Sequence, residues 1–209
     1  LSKQGDSILL CAARGNNLDC CKLILESCSN HILNTKNDSG FTPLHITCHK
    51  GNYEIYKLMI RKGVNIFVYN NYNATPLHWA CHSSPKQKNL SILQGKCNII
   101  NHIISTFAST SSEWDNYINS LNKIGISALE WCCISGFIPV IPSLLKSGSK
   151  IDNKRPGFDS LKSKLTKKYD VIIDRGLIHN LFHLKETRHK YFEMIGNITH
   201  DDSYIILKV

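Results

Sequence analysis

The chain has 209 residues, 42% apolar and 20% charged, the ordinary globular range for one substantial core or two small ones, and its apolar runs, such as Val171-Ile172-Ile173, are too short to cross a bilayer. The formal charge of +9 is spread evenly: residues 1–153 carry 14 Lys/Arg against 9 Asp/Glu and residues 154–209 carry 11 against 7, with no Arg-rich helix or basic stripe interleaved with stacking aromatics, so a solvated surface is expected and nucleic acid is set aside as a partner. Nine cysteines, an odd number and all before residue 134, fit a reduced intracellular chain, cytoplasmic or nuclear, better than a secreted disulfide scaffold.

The chain opens on Leu1 instead of a methionine and without a basic n-region and apolar h-region, which suggests a piece of a longer protein. Asp6-Ser7-Ile8-Leu9-Leu10-Cys11-Ala12-Ala13-Arg14-Gly15-Asn16 then begins the first of four related units. Asp6 is placed to cap its first helix, and Leu18 to Leu25 carries helical apolar spacing for a second. In the second unit, Gly40-Phe41-Thr42-Pro43-Leu44-His45-Ile46-Thr47-Cys48 recurs 33 residues later as Asn73-Ala74-Thr75-Pro76-Leu77-His78-Trp79-Ala80-Cys81, which opens the third. Thr42 and Thr75 are expected to cap helices whose first turn holds Pro43 and Pro76, where a missing N–H costs nothing. Gly15, Gly51 and Gly136 stand where first helices reverse, a position open to left-handed backbone. Ile55, Leu58 and Met59 mark the second helix of the second unit, and Gly63 and Gly148 end second helices. The fourth unit, Gly125-Ile126-Ser127-Ala128-Leu129-Glu130-Trp131-Cys132-Cys133, has capping-box spacing between Ser127 and Glu130.

His78 and Glu130 are 52 residues apart, 19 more than the period. The polar stretch Ser83 to Lys96 and the Ser/Thr-rich stretch Phe107 to Asn119 are expected to hold the excess as surface loops. The units are thus read as about 5–36, 37–70, 71–121 and 122–153.

The Thr-Pro-Leu-His box, the 33-residue period and the helix-ending glycines resemble the ankyrin repeat family, over residues 1–153. The resemblance implies a mainly α solenoid of helix-turn-helix units with short β-hairpin-like fingers, and a non-enzymatic protein-protein interaction module, an adaptor, scaffold or recognition region without cofactor. It places partner contacts on the concave and finger face. By position these are Asp38, Ser39, Phe41, His49 and Lys50 in the second unit, Asn71, Tyr72, Ala74 and His82 in the third, and Lys123, Ile124 and Ile126 in the fourth. Phe41, Tyr72, Ile124 and Ile126 would form an apolar ridge across the fingers, with packing between neighbouring fingers as the alternative. The expected partner is another protein, an acidic surface fitting the charge, and the chain is taken as a monomer. His45 and His78 would link neighbouring units. Cys48, Cys81 and Cys133 fill a small buried slot, and Trp79 and Trp131, which recur at one slot of the first helix, are read as core.

Residues 154–209 lack the box. Tyr169-Asp170-Val171-Ile172-Ile173-Asp174-Arg175-Gly176 is either the second helix of a decayed fifth repeat or a strand that resembles the late part of a class I S-adenosylmethionine-dependent methyltransferase. In the second case a helix over Arg188 to Ile198 and a strand over Tyr204 to Val209 would follow. None of the 12 glycines forms a G-x-G, so a complete donor site is not encoded, and an incomplete or pseudo-catalytic domain is the alternative function. His179 and His183 at i, i+4, with Glu186 and His189 beyond, suit either a metal on a helix or a plain surface helix.

Overall fold

The computed structural model describes residues 4–28, 30–82, 89–109, 112–135 and 137–150, and the backbone of 172–174 and 177–179. The chain divides into two units, Leu1–Ser149 and Lys150–Val209.

The first unit is helical. Four pairs run along it: α1 (Ile8–Arg14) with α2 (Leu18–Ser27), α3 (Pro43–Lys50) with α4 (Tyr53–Arg61), α5 (Pro76–Cys81) with α6 (Leu90–Phe107), and α8 (Ala128–Ser135) with α9 (Ile141–Lys146); a short α7 (Trp114–Ile118) precedes the last pair. The first helices pack in the order α1, α3, α5, α8. They interlock through equivalent positions: Leu9, Leu44, Leu77 and Leu129 are fully buried, and so, one turn on, are Ala13, Cys48, Cys81 and Cys133 to within 5%. Each leucine removed from water contributes about 1.5–3 kcal/mol, and the small residues let adjacent helices approach. A larger side chain there would force the stack apart.

Local chemistry sets the helix ends. Thr75 Oγ1 accepts from His78 N at 3.3 Å while Thr75 N donates to His78 Nδ1 at 3.2 Å, a reciprocal cap. In the fourth unit a carboxylate replaces the imidazole: Ser127 N and Oγ donate to Glu130 Oε2 at 2.8 and 3.0 Å. The first unit differs from expectation, because its N-cap is Ser7 and not Asp6. Asp6 instead accepts from Arg14 at 2.8 Å and from Asn37 Nδ2 at 2.8 Å, which ties the first unit to the second. Gly15 keeps right-handed backbone, φ −72°, and Asn16 takes the left-handed residue at φ 57°; Gly51 adopts φ 68° as expected. Gly136 lies outside the described residues. The second helices of the first three units start on asparagines that accept from the first turn, Asn17 from Cys20 N at 2.9 Å, Asn52 from Ile55 N at 3.0 Å and Asn89 from Ser91 N at 3.0 Å.

The two insertions are not the loops expected of Ser83–Lys96 and Phe107–Asn119. From Leu90 the first is helix, so α6 reaches 18 residues, with Ile99, Ile100 and Ile103 fully buried. Asn89 caps it, and the apolar spacing from Ile92 onward, diluted by polar residues, suffices once tertiary burial supports it. Its first turns lie directly on Gly51: a Cβ at Gly95 would stand 1.8 Å from Gly51 O, and one at Gly51 would stand 2.4 Å from Ile92 O. Only two glycines allow that approach. In the second insertion α7 buries Trp114, Tyr117 and Ile118, and Trp114 Nε1 donates to Ser147 O at 2.8 Å. The apolar triad at i, i+3 and i+4 pulls the segment inward despite its Ser/Thr flank.

In the second unit of the chain, strands β1 (Ile172–Asp174) and β2 (Leu177–His179) pair antiparallel, with Asp174 opposite Leu177. This corrects the reading of Ile172–Asp174 as a second repeat helix. It also departs from the methyltransferase order, in which a helix follows the strand. His179 sits on β2, not on a helix; His183, Glu186, His189, the helix over 188–198 and the strand over 204–209 lie outside the described residues.

Candidate functional site

Each finger between units is built on one asparagine. Asn37 Oδ1 accepts from Ser39 N at 3.1 Å and Phe41 N at 2.9 Å. Asn70 Oδ1 accepts from Tyr72 N and Ala74 N, each at 3.0 Å. Asn122 Oδ1 does the same for Ile124 N and Ile126 N, each at 3.0 Å. Peptide bonds such as Asn37 N to Phe41 O, Asn70 N to Ala74 O and Asn122 N to Ile126 O close each hairpin-like turn, and the asparagine side chain satisfies two further N–H groups inside it. Gly40, Asn73 and Gly125 take positive φ at the same place in each turn, 77°, 53° and 73°. Successive fingers then pair: Asn71 N donates to Ser39 O at 3.1 Å, and Lys123 N to Tyr72 O at 2.8 Å. These three asparagines escaped the sequence reading. The signal was present, since each stands five residues before the cap residue Thr42, Thr75 or Ser127.

The box histidines fix fingers to helices. His45 Nδ1 lies 3.2 Å from Thr42 N and its Nε2 3.0 Å from Ala74 O; His78 Nε2 reaches Ile126 O at 3.2 Å. Because a peptide N–H can only donate, Nδ1 accepts and Nε2 carries the proton, which makes both rings neutral clamps between units. Burial pushes the pKa of each down to about 4, against the opposing bond to a carbonyl of the next finger.

Asp38, Lys50, Asn71, Tyr72, Lys123 and Ile124 stand exposed, Tyr72 at 54% and Ile124 at 74%. Ser39, Phe41, His49, His82 and Ile126 are half-buried. Ala74, in contrast, is buried at 1%, with its carbonyl taken by His45, so it offers a partner no side-chain surface. The apolar residues part into two groups. Tyr72 and Ile124 remain on finger tips. Phe41 turns toward the first helices, 6.2 Å from the Tyr72 ring but 5.0 Å from that of Trp79.

Trp79 and Trp131 are half-buried, which corrects their reading as core. Their rings lie 5.7 Å apart, and each packs on His82, at 5.7 and 5.1 Å. His49 adds a fourth ring, 5.3 Å from Trp79 and 5.5 Å from His82. Against this wall opens a cleft of about 460 Å³, lined by Arg14, Asp38, Phe41, Ile46, His49 and Trp79 among others. Three ring nitrogens here, His49 Nδ1, Trp79 Nε1 and His82 Nδ1, are closed to solvent and have no hydrogen-bond partner among the described residues. An unsatisfied buried polar atom costs about 1–3 kcal/mol, so the wall holds unused hydrogen-bonding capacity.

Beneath the wall lies Lys96, a residue read as part of a surface loop yet only 2% exposed. Its Nζ donates to His82 O at the end of α5. Where the N–H of Gly51 satisfies the last carbonyls of α3, the Lys96 ammonium caps α5 and opposes the negative end of that helix. Burial lowers its pKa to about 8. His49 is held down to about 4, first by burial and then by Lys96, His82, Lys50 and Arg14; His82 is lowered by burial and Lys96. Among the described residues no three His, Cys, Asp or Glu side chains gather as a metal-ligand set, and no helix is long and apolar enough to cross a membrane.

Comparison with known proteins matches residues 8–101 to the family described as ankyrin repeats in three copies. Over 71 residues, 34% of the chain, the sequence is 31% identical to Ankyrin repeat protein OPG189 of Monkeypox virus. The chain spans 12% of that relative's length. Neither match touches the methyltransferase resemblance of the tail, which has no support.

Proposed function

With residues 8–101 established as ankyrin repeats, we propose that the chain is the recognition region of an adaptor or scaffold, which holds another protein on its fingers and the adjoining surface of the first helices. Repeat families of this kind serve as protein-protein interaction modules and are typically non-enzymatic, and the stacked scaffold leaves its exposed positions free to specify the partner. The observation that carries the reading is the row formed by exposed Tyr72 and Ile124 and half-buried Phe41, Trp79 and Trp131. Aromatic side chains left partly in water beside a rigid backbone are the residues on which interface energy concentrates.

The test is a comparative pull-down with the wild-type chain and a Tyr72→Glu/Ile124→Glu variant. Both side chains are exposed, so the variant keeps its fold. A protein retained by the wild type and lost by the variant places recognition on the fingers. Equal retention by both refutes that placement.

A further inference from the structure

The first helix pair leaves in water a set of positions that the following pairs bury. Helix caps give the alignment: Ser7, Thr42 and Thr75 precede the first helices, and Asn17, Asn52 and Asn89 the second ones. One residue after the first cap, Pro43 and Pro76 are buried, yet Ile8 is 62% exposed. Four residues after it, Ile46 is buried and Trp79 half-buried, yet Cys11 is exposed. Five residues after it, Thr47 and Ala80 are fully buried and Ala12 is half open. Three residues after the second cap, Ile55 is buried and Ile92 half-buried, whereas Cys20 is exposed. The remaining core of the first unit does not differ, since Leu9, Leu10, Ala13 and Cys21 are at most 1% exposed. One face alone lacks its cover.

That face is distinct from the side on which the repeats meet solvent. Asp19 and Lys22 pair on α2 at 3.4 Å, and Glu54 and Lys57 pair at the same places on α4 at 2.8 Å. Leu23, whose counterpart Leu58 is itself half in solvent, lies at the margin. A repeat stack that ends in water carries a polar outer face. Ile8, Cys11, Ala12 and Cys20 are apolar and mostly small, the make-up of the faces that meet inside the row. The first finger is also built like the others: Gly5 takes φ 72° beside 77° at Gly40, and Asp38 N donates to Gln4 O at 3.2 Å as Asn71 N does to Ser39 O at 3.1 Å.

We propose that this face binds a further ankyrin helix pair, stacked on α1 and α2 in the register in which they stack on α3 and α4. The contact would continue an interface already repeated along the row, and its small side chains suit the close approach of two helices. It is separate from the fingers, so it stands whichever protein those hold.

The test fuses one designed unit with the Thr-Pro-Leu-His box ahead of Leu1, in the 33-residue period of the chain. The fused protein is expected to unfold in one transition, with a melting temperature higher by about 5 °C or more. Cys11 and Cys20 should react with a maleimide at least about tenfold more slowly than in the chain alone. Cys28, whose counterpart Gly63 is exposed inside the row, should keep its rate. Ile8→Glu/Cys11→Glu, at two exposed positions, should remove the shift and the protection of Cys20. An added unit that melts apart from the chain, or that leaves the labelling of Cys11 and Cys20 unchanged, overturns the proposal. So does a chain that sediments as a dimer without the added unit and becomes a monomer on Ile8→Glu/Cys11→Glu, because a second copy then occupies the face.

Discussion

Lowering the pH should unfold this chain by a route that the structure specifies. His45 and His78 are neutral clamps, each with a folded pKa near 4 against an ordinary value of 6.5. A depressed pKa means that the unfolded chain takes up the proton first, so the stability each clamp confers is complete above 6.5 and is lost as pH falls toward 4. At 1.36 kcal/mol for each tenfold change, the full loss is about 3 kcal/mol per histidine, of which about 2 kcal/mol is already gone at pH 5. Protonation must also break the cap bond, because Nδ1 can no longer accept from Thr42 N or Thr75 N. Two clamps together remove about 4 kcal/mol at pH 5, a large share of the roughly 5–15 kcal/mol that holds a domain folded. With a urea slope of about 2 kcal/mol per molar, these two clamps alone should lower the unfolding midpoint by about 2 M between pH 7.5 and pH 5. A His45→Gln/His78→Gln variant should be less stable at pH 7.5 yet lose much less on acidification, the remainder coming from His49 and His82. A wild-type midpoint that does not move, or a variant that falls as steeply as the wild type, would refute the clamp argument.

Gly95→Ala should destabilise by about 1–3 kcal/mol in chemical denaturation, because the new methyl would stand 1.8 Å from Gly51 O, whereas alanine in an ordinary helix interior stabilises. Lys96→Met exchanges a buried charge for a side chain of similar length: the charge costs the folded state about 3 kcal/mol below pH 8, relieved between 8 and 10.5. Wild type measured against that variant should therefore gain stability over this range, although buried thiols such as Cys48 and Cys133, whose pKa values burial raises, draw both chains down as pH rises through 9. Trp114→Phe should cost about 1 kcal/mol for the bond to Ser147 O, read as a lower melting temperature. Asn70→Ala removes two finger bonds and should cost about 1–2 kcal/mol, with a loss of partner affinity larger than that of Asn17→Ala, which affects a helix cap remote from the fingers.

The repeat itself was legible in the sequence because its signals are local. Thr42-Pro43 and Thr75-Pro76 state a helix start within two residues, and the 33-residue spacing repeats them. Where one residue serves distant partners, the sequence was silent or misleading. Asp6 looks like a cap, yet it is drawn to Arg14 and Asn37, and Ser7 takes the cap instead. Lys96 and the start of α6 read as polar loop, because only the tertiary approach of Gly95 to Gly51 makes helix worthwhile there. Trp79 and Trp131 read as core from size and spacing, and they are instead half-buried, Trp79 at the edge of a cleft. The candidate contacts divide in the same way. Finger-tip exposure of Tyr72 and Ile124 follows from position in the repeat, whereas burial of Ala74 follows from a histidine 29 residues earlier.

Site-specific photo-crosslinking tests the recognition face most directly. A benzophenone amino acid placed at Tyr72 on the fingers, 54% exposed, is compared with one at Leu23, 66% exposed but on a second helix. The account predicts that the partner protein crosslinks from position 72 and not from position 23. Crosslinking from 23 with none from 72 would contradict it and move recognition to the second-helix surface.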